Sequence, residues 1–141
     1  MTAPSILVVD DDEGLRQLLR LTLQFAGMDV REAGDGLDAL AQIRAEPPDL
    51  VLLDVMMPKM DGLTVCRTLR ADPDTEDLPV MMISGKTDPR SIQQGLDNGA
   101  NEYITKPFCI QELIARVKAL LNSRSQKEAS LLASQGRLGV R

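Results

Sequence analysis

The sequence predicts an α/β fold in which a five-stranded parallel sheet, in the strand order 2-1-3-4-5, carries helices on both faces. Strand-like runs alternate five times with helical apolar patterns over residues 1–122. This alternation is typical of a parallel sheet, because a helix crosses back over the sheet between one strand and the next. Three of the five runs are apolar throughout, which indicates strands that are covered on both faces.

The strand-like runs differ in a way that predicts their positions in the sheet. The runs at 6–9, 50–53 and 79–83 are continuously apolar, so they belong at the centre. Residues 28–32 alternate apolar and polar, and 102–104 is short, so these two runs are predicted at the edges. The resulting order has a switch point between the first and third strands, as in flavodoxin-like sheets.

The helical segments show apolar residues three and four apart, and residues that break helices follow them. In the first helix these are Leu15, Leu18, Leu19 and Leu23, and Gly27 ends it. Prolines or a glycine follow the next three helices, and Asp88-Pro89 is a typical start for the fourth. The predicted helices lie near 15–26, 37–44, 61–69, 89–98 and 109–121.

Polar residues follow the predicted strands at their carboxyl ends. Asp10 and Asp11 follow the first strand, Asp54 the third, Ser84 the fourth and Lys106 the fifth. Parallel strands end at one edge of the sheet, so these side chains are predicted to meet there. Two carboxylates about 4 Å apart repel by about 4 kcal/mol at an effective dielectric of about 20, so the cluster needs a cation or a shared proton. Oxygen ligands of this kind favour Mg²⁺, and an aspartate beside the ion can accept a phosphoryl group.

The composition excludes several other kinds of site. The chain has no histidine, so it contains no histidine base, zinc-binding histidine or phosphohistidine. A net charge of -5 and 2% aromatic residues argue against nucleic-acid binding by this chain. No apolar run is long enough to span a membrane, and Met1–Ser5 lacks the basic segment of a signal peptide. We therefore expect a cytoplasmic protein in which Cys66 and Cys109 are reduced core residues.

Four segments of the sequence resemble the receiver domain of two-component response regulators, the CheY-like family. The segments are Ile6–Asp11, Leu52–Gly62, Met82–Gly85 and Tyr103–Phe108. The resemblance implies a signalling switch that receives a phosphoryl group from a phosphohistidine. It also implies that the chain catalyses only its own phosphorylation and dephosphorylation, and is not an enzyme with an external substrate. Because the chain has no histidine, the donor is another protein, a sensor histidine kinase or a phosphotransfer protein.

The resemblance implies a role for each acidic residue at the predicted edge. Asp54 would be the phosphoacceptor. The Mg²⁺ ligands would be Asp10, Asp11, Asp54 and the backbone carbonyl of Met56, with Asp11 the more direct ligand of the first pair. The side chains of Met56 and Lys86 would tune the hydrolysis rate by controlling the access of water.

The resemblance further implies how the fold responds to phosphorylation. Ser84 would hydrogen-bond the phosphoryl group, and Lys106 would pair with it. Tyr103 would turn inward when Ser84 moves. The Lys106–Pro107 peptide bond would be cis.

Two other functions share parts of the pattern. An aspartyl-phosphate hydrolase of the haloacid-dehalogenase type also uses an aspartate after a strand. It requires a second aspartate two residues later, where this chain has Met56. A flavodoxin-like cofactor module requires a hydroxyl- or glycine-rich phosphate-binding loop after the first strand, where this chain is acidic.

Residues 1–122 form the predicted receiver domain, and residues 123–141 form a separate tail. The tail has four basic residues, one acidic residue and no proline, and Leu131 and Leu132 give it a weak apolar face. It could extend the last helix, begin a linker to an output domain or be a frayed end. The output is open in the same way, between a downstream protein and a missing output domain. A homodimer through the fourth helix, fifth strand and fifth helix is also left open.

Overall fold

A computed structural model shows five strands alternating with five helices over residues 2–139, and it describes side chains for residues 2–124. The strands are β1 (Ser5–Val9), β2 (Asp29–Ala33), β3 (Leu50–Asp54), β4 (Val80–Ser84) and β5 (Glu102–Thr105). The helices are α1 (Glu13–Phe25), α2 (Gly36–Ala45), α3 (Gly62–Ala71), α4 (Pro89–Asp97) and α5 (Ile110–Gly139).

The strands form one parallel sheet in the order β2-β1-β3-β4-β5, which confirms the predicted fold class and strand order. Every residue of β3 and β4 is buried, whereas β2 buries only Ala33 fully and β5 only Ile104. Helices cover the central strands on both faces, so those strands can be apolar throughout. The edge strands carry the polar positions.

The sheet presents apolar side chains to both of its faces. In β1, Ile6 and Val8 belong to one buried cluster, and Leu7 and Val9 belong to the other. This split follows from the two-residue period of a strand. The helices add Leu19, Leu23, Leu113 and Val117 to the first cluster and Ala39, Leu40, Ile43, Val65, Cys66 and Leu69 to the second. Helices α1 and α5 therefore lie on one face of the sheet, and α2 and α3 lie on the other.

Four helices begin after an aspartate whose side chain accepts a hydrogen bond from a backbone N–H in the first turn. Such a cap satisfies a backbone donor that the helix itself cannot pair. Because a helix follows each strand, these caps also lie toward the carboxyl ends of the strands. The capping residues are Asp12, Asp35, Asp61 and Asp88.

One sequence-based prediction about the core needs correction, and one residue of a predicted apolar pattern lies outside the core. Cys66 is buried as predicted, but Cys109 is exposed, because it precedes α5 and lies outside both clusters. Leu18 is 47% exposed, since α1 turns only its Leu19 and Leu23 side into the core.

Helix α5 is longer than the apolar pattern predicts. It has 30 residues and its backbone is helical to Gly139, although the pattern predicts an end near residue 121. The predicted apolar face at Leu131 and Leu132 lies outside the described side chains. The predicted domain boundary at residue 122 stays a prediction. No helix in the described range is both long and apolar enough to cross a bilayer.

Candidate functional site

Three carboxylates converge at the carboxyl edge of the sheet, the side on which the strands end. Each of Asp10, Asp11 and Asp54 places a carboxylate oxygen within 4.8 Å of one oxygen of the other two, and we call these three residues the acidic cluster. Strands β1 and β3 are neighbours in which Val9 pairs with Leu53, so the next residues, Asp10 and Asp54, lie side by side. Asp10 and Asp54 are 3% and 5% exposed, whereas Asp11 is exposed.

The loop after β3 packs closely enough to require glycine at its far end. The N–H of Gly62 donates to the carbonyl of Val55 at 2.9 Å. A β-carbon at Gly62 would collide with the backbone carbonyl of Asp54. The N–H of Met56 donates to Asp54 Oδ1 at 3.3 Å. The loop therefore folds back over Asp54 and supplies one of its hydrogen-bond donors.

Lys106 brings one positive charge to the acidic cluster. Its Nζ lies 3.3 Å from Asp10 Oδ2 and 3.6 Å from Asp54 Oδ1. Its backbone N–H donates to the carbonyl of Ser84 at 2.7 Å, which fixes the segment after β5 against β4. The peptide bond between Lys106 and Pro107 is cis, as expected. Three carboxylates thus face one ammonium group at this edge.

The pKa of Asp54 reflects both its burial and the excess of negative charge around it. The pKa is raised from 3.8 to about 6, chiefly by burial and then by the neighbouring Asp10 and Asp11 carboxylates. Lys106 and the N–H of Met56 oppose these effects but do not cancel them. Loss of hydration disfavours the charged form of a buried carboxyl, as does a like charge nearby. A divalent cation bound between the three carboxylates would offset both the lost hydration and the repulsion between like charges. The donor set therefore fits a cation that prefers oxygen ligands.

Ser84 follows the residue of β4 that pairs with Asp54, and Tyr103 lies on the neighbouring strand β5. Within the described residues neither side chain hydrogen-bonds to the acidic cluster. Ser84, at the end of β4, is fully buried, and its Oγ accepts a hydrogen bond from the N–H of Lys86 at 3.1 Å. The Tyr103 hydroxyl donates to the carbonyl of Lys86 at 2.9 Å. A β-carbon at Gly95 would lie 2.8 Å from the Tyr103 ring, so α4 leaves space for this ring position. Both residues therefore contact the loop that follows β4.

The two residues predicted to control water access lie on different loops. The Met56 side chain is 58% exposed beside Asp54, and Lys86 is exposed after β4. The Met56 carbonyl as a metal ligand stays a prediction, as do the separate roles of the other residues.

Arg16 is a neighbour of the site that the sequence analysis does not predict. Its Nη1 donates to the backbone carbonyl of Asp10 at 2.7 Å, and its Nε donates to Glu32 Oε1 at 3.2 Å. The only sequence signal is its place in the first turns of the helix after Asp10. Finding Glu32 as its partner requires the pairing of β1 with β2, in which Val8 faces Glu32.

Chemically, the site combines a buried carboxylate, a set of carboxylate oxygens placed so that they could hold a cation, and a positive charge. An oxygen nucleophile, a metal and an ammonium group are the elements of phosphoryl transfer. The arrangement has no phosphate-binding glycine loop at β1, where Asp10 and Asp11 lie instead.

The comparisons with known proteins agree with this chemistry. The family model described as the response regulator receiver domain matches residues 6–118. The DNA-binding response regulator MtrA of Mycobacterium tuberculosis H37Rv is 46% identical over 128 residues, which are 91% of this chain and 55% of that protein. The DNA-binding dual master transcriptional regulator RpaA of a Synechocystis strain is 46% identical over 118 residues, 84% of this chain and 49% of RpaA. The chain therefore spans about half the length of these relatives.

The fold is similar to that of solved receiver structures. The chemotaxis response regulator CheY4 of Vibrio cholerae superposes with a TM-score of 0.80 and 33% identity. The superposition covers 84% of this chain and 99% of CheY4. Such a match supports the strand order and the position of the carboxyl edge described above.

Proposed function

The chain belongs to the response regulator receiver domain family, and we propose that Asp54 is its phosphoacceptor. The chain is thus a phosphorylation-activated signalling switch. The observation that carries the assignment of Asp54 is its environment. It is the buried carboxylate at the end of a central strand, with Lys106 3.6 Å away. Among the described side chains and backbone groups, donors reach Oδ1 but none hydrogen-bonds to Oδ2.

The proposed reaction moves a phosphoryl group from a donor phosphohistidine to Asp54. A carboxylate oxygen forms a bond to phosphorus as the bond from phosphorus to the imidazole nitrogen breaks. The electron pair of the broken bond remains on the imidazole. Lys106 lies where it can pair with the phosphoryl oxygens, because its Nζ already contacts both Asp10 and Asp54. In this proposal the chain catalyses its own phosphorylation and the hydrolysis of its own aspartyl phosphate.

The proposal assigns Mg²⁺ to the acidic cluster. Asp10, Asp11 and Asp54 would hold the ion, together with the backbone carbonyl of Met56. The ion would supply positive charge to the oxygens of the transferring group. Support for it comes from the raised pKa of Asp54 and from the oxygen-only donor set.

The proposed switch uses Ser84 and Tyr103. Ser84 Oγ exchanges its hydrogen bond from Lys86 for one to the phosphoryl group, and Tyr103 gives up its bond to the Lys86 carbonyl and turns inward. Support for this coupling is that both residues hold the same residue of the loop after β4. Phosphorylation would bias a pre-existing equilibrium between two states of the α4, β5 and α5 face.

The proposed partners follow from the missing histidine and from the relatives. A sensor histidine kinase or phosphotransfer protein supplies the phosphohistidine, in the cytoplasm. The output is a downstream protein or an output domain, and the same face could form a homodimer. MtrA and RpaA are described as DNA-binding, but we propose that this acidic segment does not itself bind nucleic acid. The alternative of a haloacid-dehalogenase type hydrolase finds no support in these relatives.

The assignment is tested by the intact mass after incubation with acetyl phosphate and Mg²⁺. We expect the unmodified sequence to gain the mass of one phosphoryl group and Asp54→Asn to gain none. Asp77→Asn, which changes an exposed carboxylate on the opposite edge of the sheet, is the control and should gain as much as the parent. An undiminished gain in Asp54→Asn would contradict the assignment.

A further inference from the structure

We propose that Arg16 is a positioning residue for the acidic cluster, because it holds the peptide group that joins Asp10 to Asp11. This inference rests on the proposed function, since it concerns the Mg²⁺ site of that reaction. The Nη1 group of Arg16 donates to the carbonyl of Asp10 at 2.7 Å. That carbonyl belongs to the peptide group whose orientation decides where Asp11 points.

The rest of Asp10 is held by other donors and acceptors. Its N–H donates to the carbonyl of Ala33 at 3.2 Å, and its Oδ1 accepts from the N–H of Asp12 at 2.9 Å. Its Oδ2 contacts Lys106 at 3.3 Å. The carbonyl is the remaining polar group of Asp10, and Arg16 satisfies it. Arg16 therefore completes the restraint of Asp10.

Asp11 depends on this restraint more than Asp10 or Asp54 does. Its carboxylate is exposed, and none of the described residues donates a hydrogen bond to it. Within the part of the chain that the structure describes, the backbone therefore supplies the one restraint on its position, because it sets the direction of the Cα–Cβ bond while no hydrogen bond fixes the carboxylate. A hydrogen bond to the preceding carbonyl limits rotation of that peptide plane, so Arg16 acts on Asp11 without touching it.

The guanidinium group is itself fixed on several sides. Its Nε donates to Glu32 Oε1 at 3.2 Å while Nη1 reaches Asp10. The position of a β-carbon at Gly34 would lie 3.4 Å from Nη1, so the turn after β2 packs against the group. Arg20 binds the second oxygen of Glu32 at 2.9 Å. The guanidinium bonds Glu32 and the Asp10 carbonyl from two different nitrogens held in one plane, a fixed geometry that the single nitrogen of a lysine lacks.

The charge of Arg16 and its proposed positioning role predict opposite changes in Mg²⁺ affinity when Arg16 is replaced. Arg16 adds positive charge near a cation site, so charge alone predicts that Arg16→Met binds Mg²⁺ more tightly. Loss of positioning predicts weaker binding. Arg20→Met is the matched control, because Arg20 shares Glu32 but does not contact Asp10. The direction of the change therefore identifies the role.

The experiment measures the Mg²⁺ dissociation constant by calorimetry and the acetyl phosphate reaction rate across Mg²⁺ concentrations. We expect Arg16→Met to weaken Mg²⁺ binding about tenfold relative to Arg20→Met, as is usual when a residue that orients a metal ligand is lost. The reaction rate should recover at saturating Mg²⁺. Equal Mg²⁺ affinities in the two variants, or tighter binding by Arg16→Met, would overturn the proposal.

Two further comparisons keep this test decisive. If Arg16→Met does not fold, Arg16→Lys and Arg20→Lys replace the pair, and weaker Mg²⁺ binding is still expected for Arg16→Lys because its ammonium lacks the fork. Unchanged affinity there would also overturn the proposal. Failure of the unmodified chain to take up a phosphoryl group would instead refute the proposed function. An affinity difference between the variants would still stand in that case.

Discussion

The polar groups at the two edges of the sheet differ in how completely they are paired. At the amino edge, where β4 and β5 begin, Arg70 donates to three backbone carbonyls and to Asn101 Oδ1. Asn101 Oδ1 also accepts from the N–H of Val80 at 2.8 Å. The buried hydroxyl of Thr75 donates to the carbonyl of Leu69 at 2.6 Å. Each polar group named here has a partner, which is the usual condition of buried groups in proteins.

The carboxyl edge holds an excess of negative charge. Asp10 and Asp54 are buried, Asp11 lies within 4.8 Å of them, and Lys106 is the cation that pairs with the first two. Burial first, and then the neighbouring carboxylates, raise the pKa of Asp54 to about 6. One sheet thus has an edge that stabilises the fold and an edge that leaves charge for a ligand to neutralise. Buried charges that the fold itself does not neutralise are expected at functional sites.

Arg70→Met should give the largest change in stability, and it should leave phosphorylation intact. The variant loses four hydrogen bonds at the amino edge, two part-buried ones worth about 1 kcal/mol each and two exposed ones worth less, so we expect a loss of about 3 kcal/mol in the free energy of unfolding. Urea denaturation measures this. The control is Arg67→Met on the same helix, whose exposed bonds to Thr64 and Asn98 should contribute less than about 1 kcal/mol. Similar losses in both variants would remove the contrast between the edges.

Asp54→Asn should change stability in the opposite direction. The pKa of Asp54 in the folded protein, about 6, lies above its ordinary value of 3.8, so the folded state binds the proton more tightly. The unmodified protein should therefore lose stability as the pH rises through this window. Without metal at pH 7, removing the charge should raise the free energy of unfolding by at most about 3 kcal/mol.

The measurement for Asp54→Asn is denaturation in EDTA from pH 4 to pH 8. The gain over the unmodified protein should be small at pH 4 and largest above pH 6. A gain that is equal at all pH values would show that ionisation of Asp54 is not its source. Asp77→Asn should show no gain, because surface substitutions change stability by less than about 0.5 kcal/mol.

Mg²⁺ should have a smaller effect that is confined to the carboxyl edge. At a concentration tenfold above its dissociation constant, a bound ion stabilises the folded state by about 1.4 kcal/mol. Thermal denaturation with and without Mg²⁺ measures this, and EDTA should reverse it. We expect Asp11→Asn to reduce the stabilisation and Asp77→Asn to retain it. Equal reductions in both variants would place the ion elsewhere.

The sequence predicts the fold and the meeting of the site residues because both depend on local patterns. Continuous apolar runs identify the central strands, and each is followed by a polar residue at its end. The Arg70 contacts and the Arg16 bridge could not be predicted, since each includes a partner distant in sequence whose position depends on strand register. These partners are Glu32 for Arg16 and Asn101 for Arg70. Exposure of Cys109 was missed for a related reason, because flanking apolar residues do not show which way a side chain points after a turn.

The central claim is that the carboxyl edge holds charge that the fold itself does not neutralise. The most direct test is a ¹³C NMR titration of the Asp54 carboxyl group, without metal and again with saturating Mg²⁺. The account predicts a pKa of about 6 without metal and a clearly lower pKa with Mg²⁺. A pKa near 3.8 in the metal-free protein, unchanged by Mg²⁺, would contradict it.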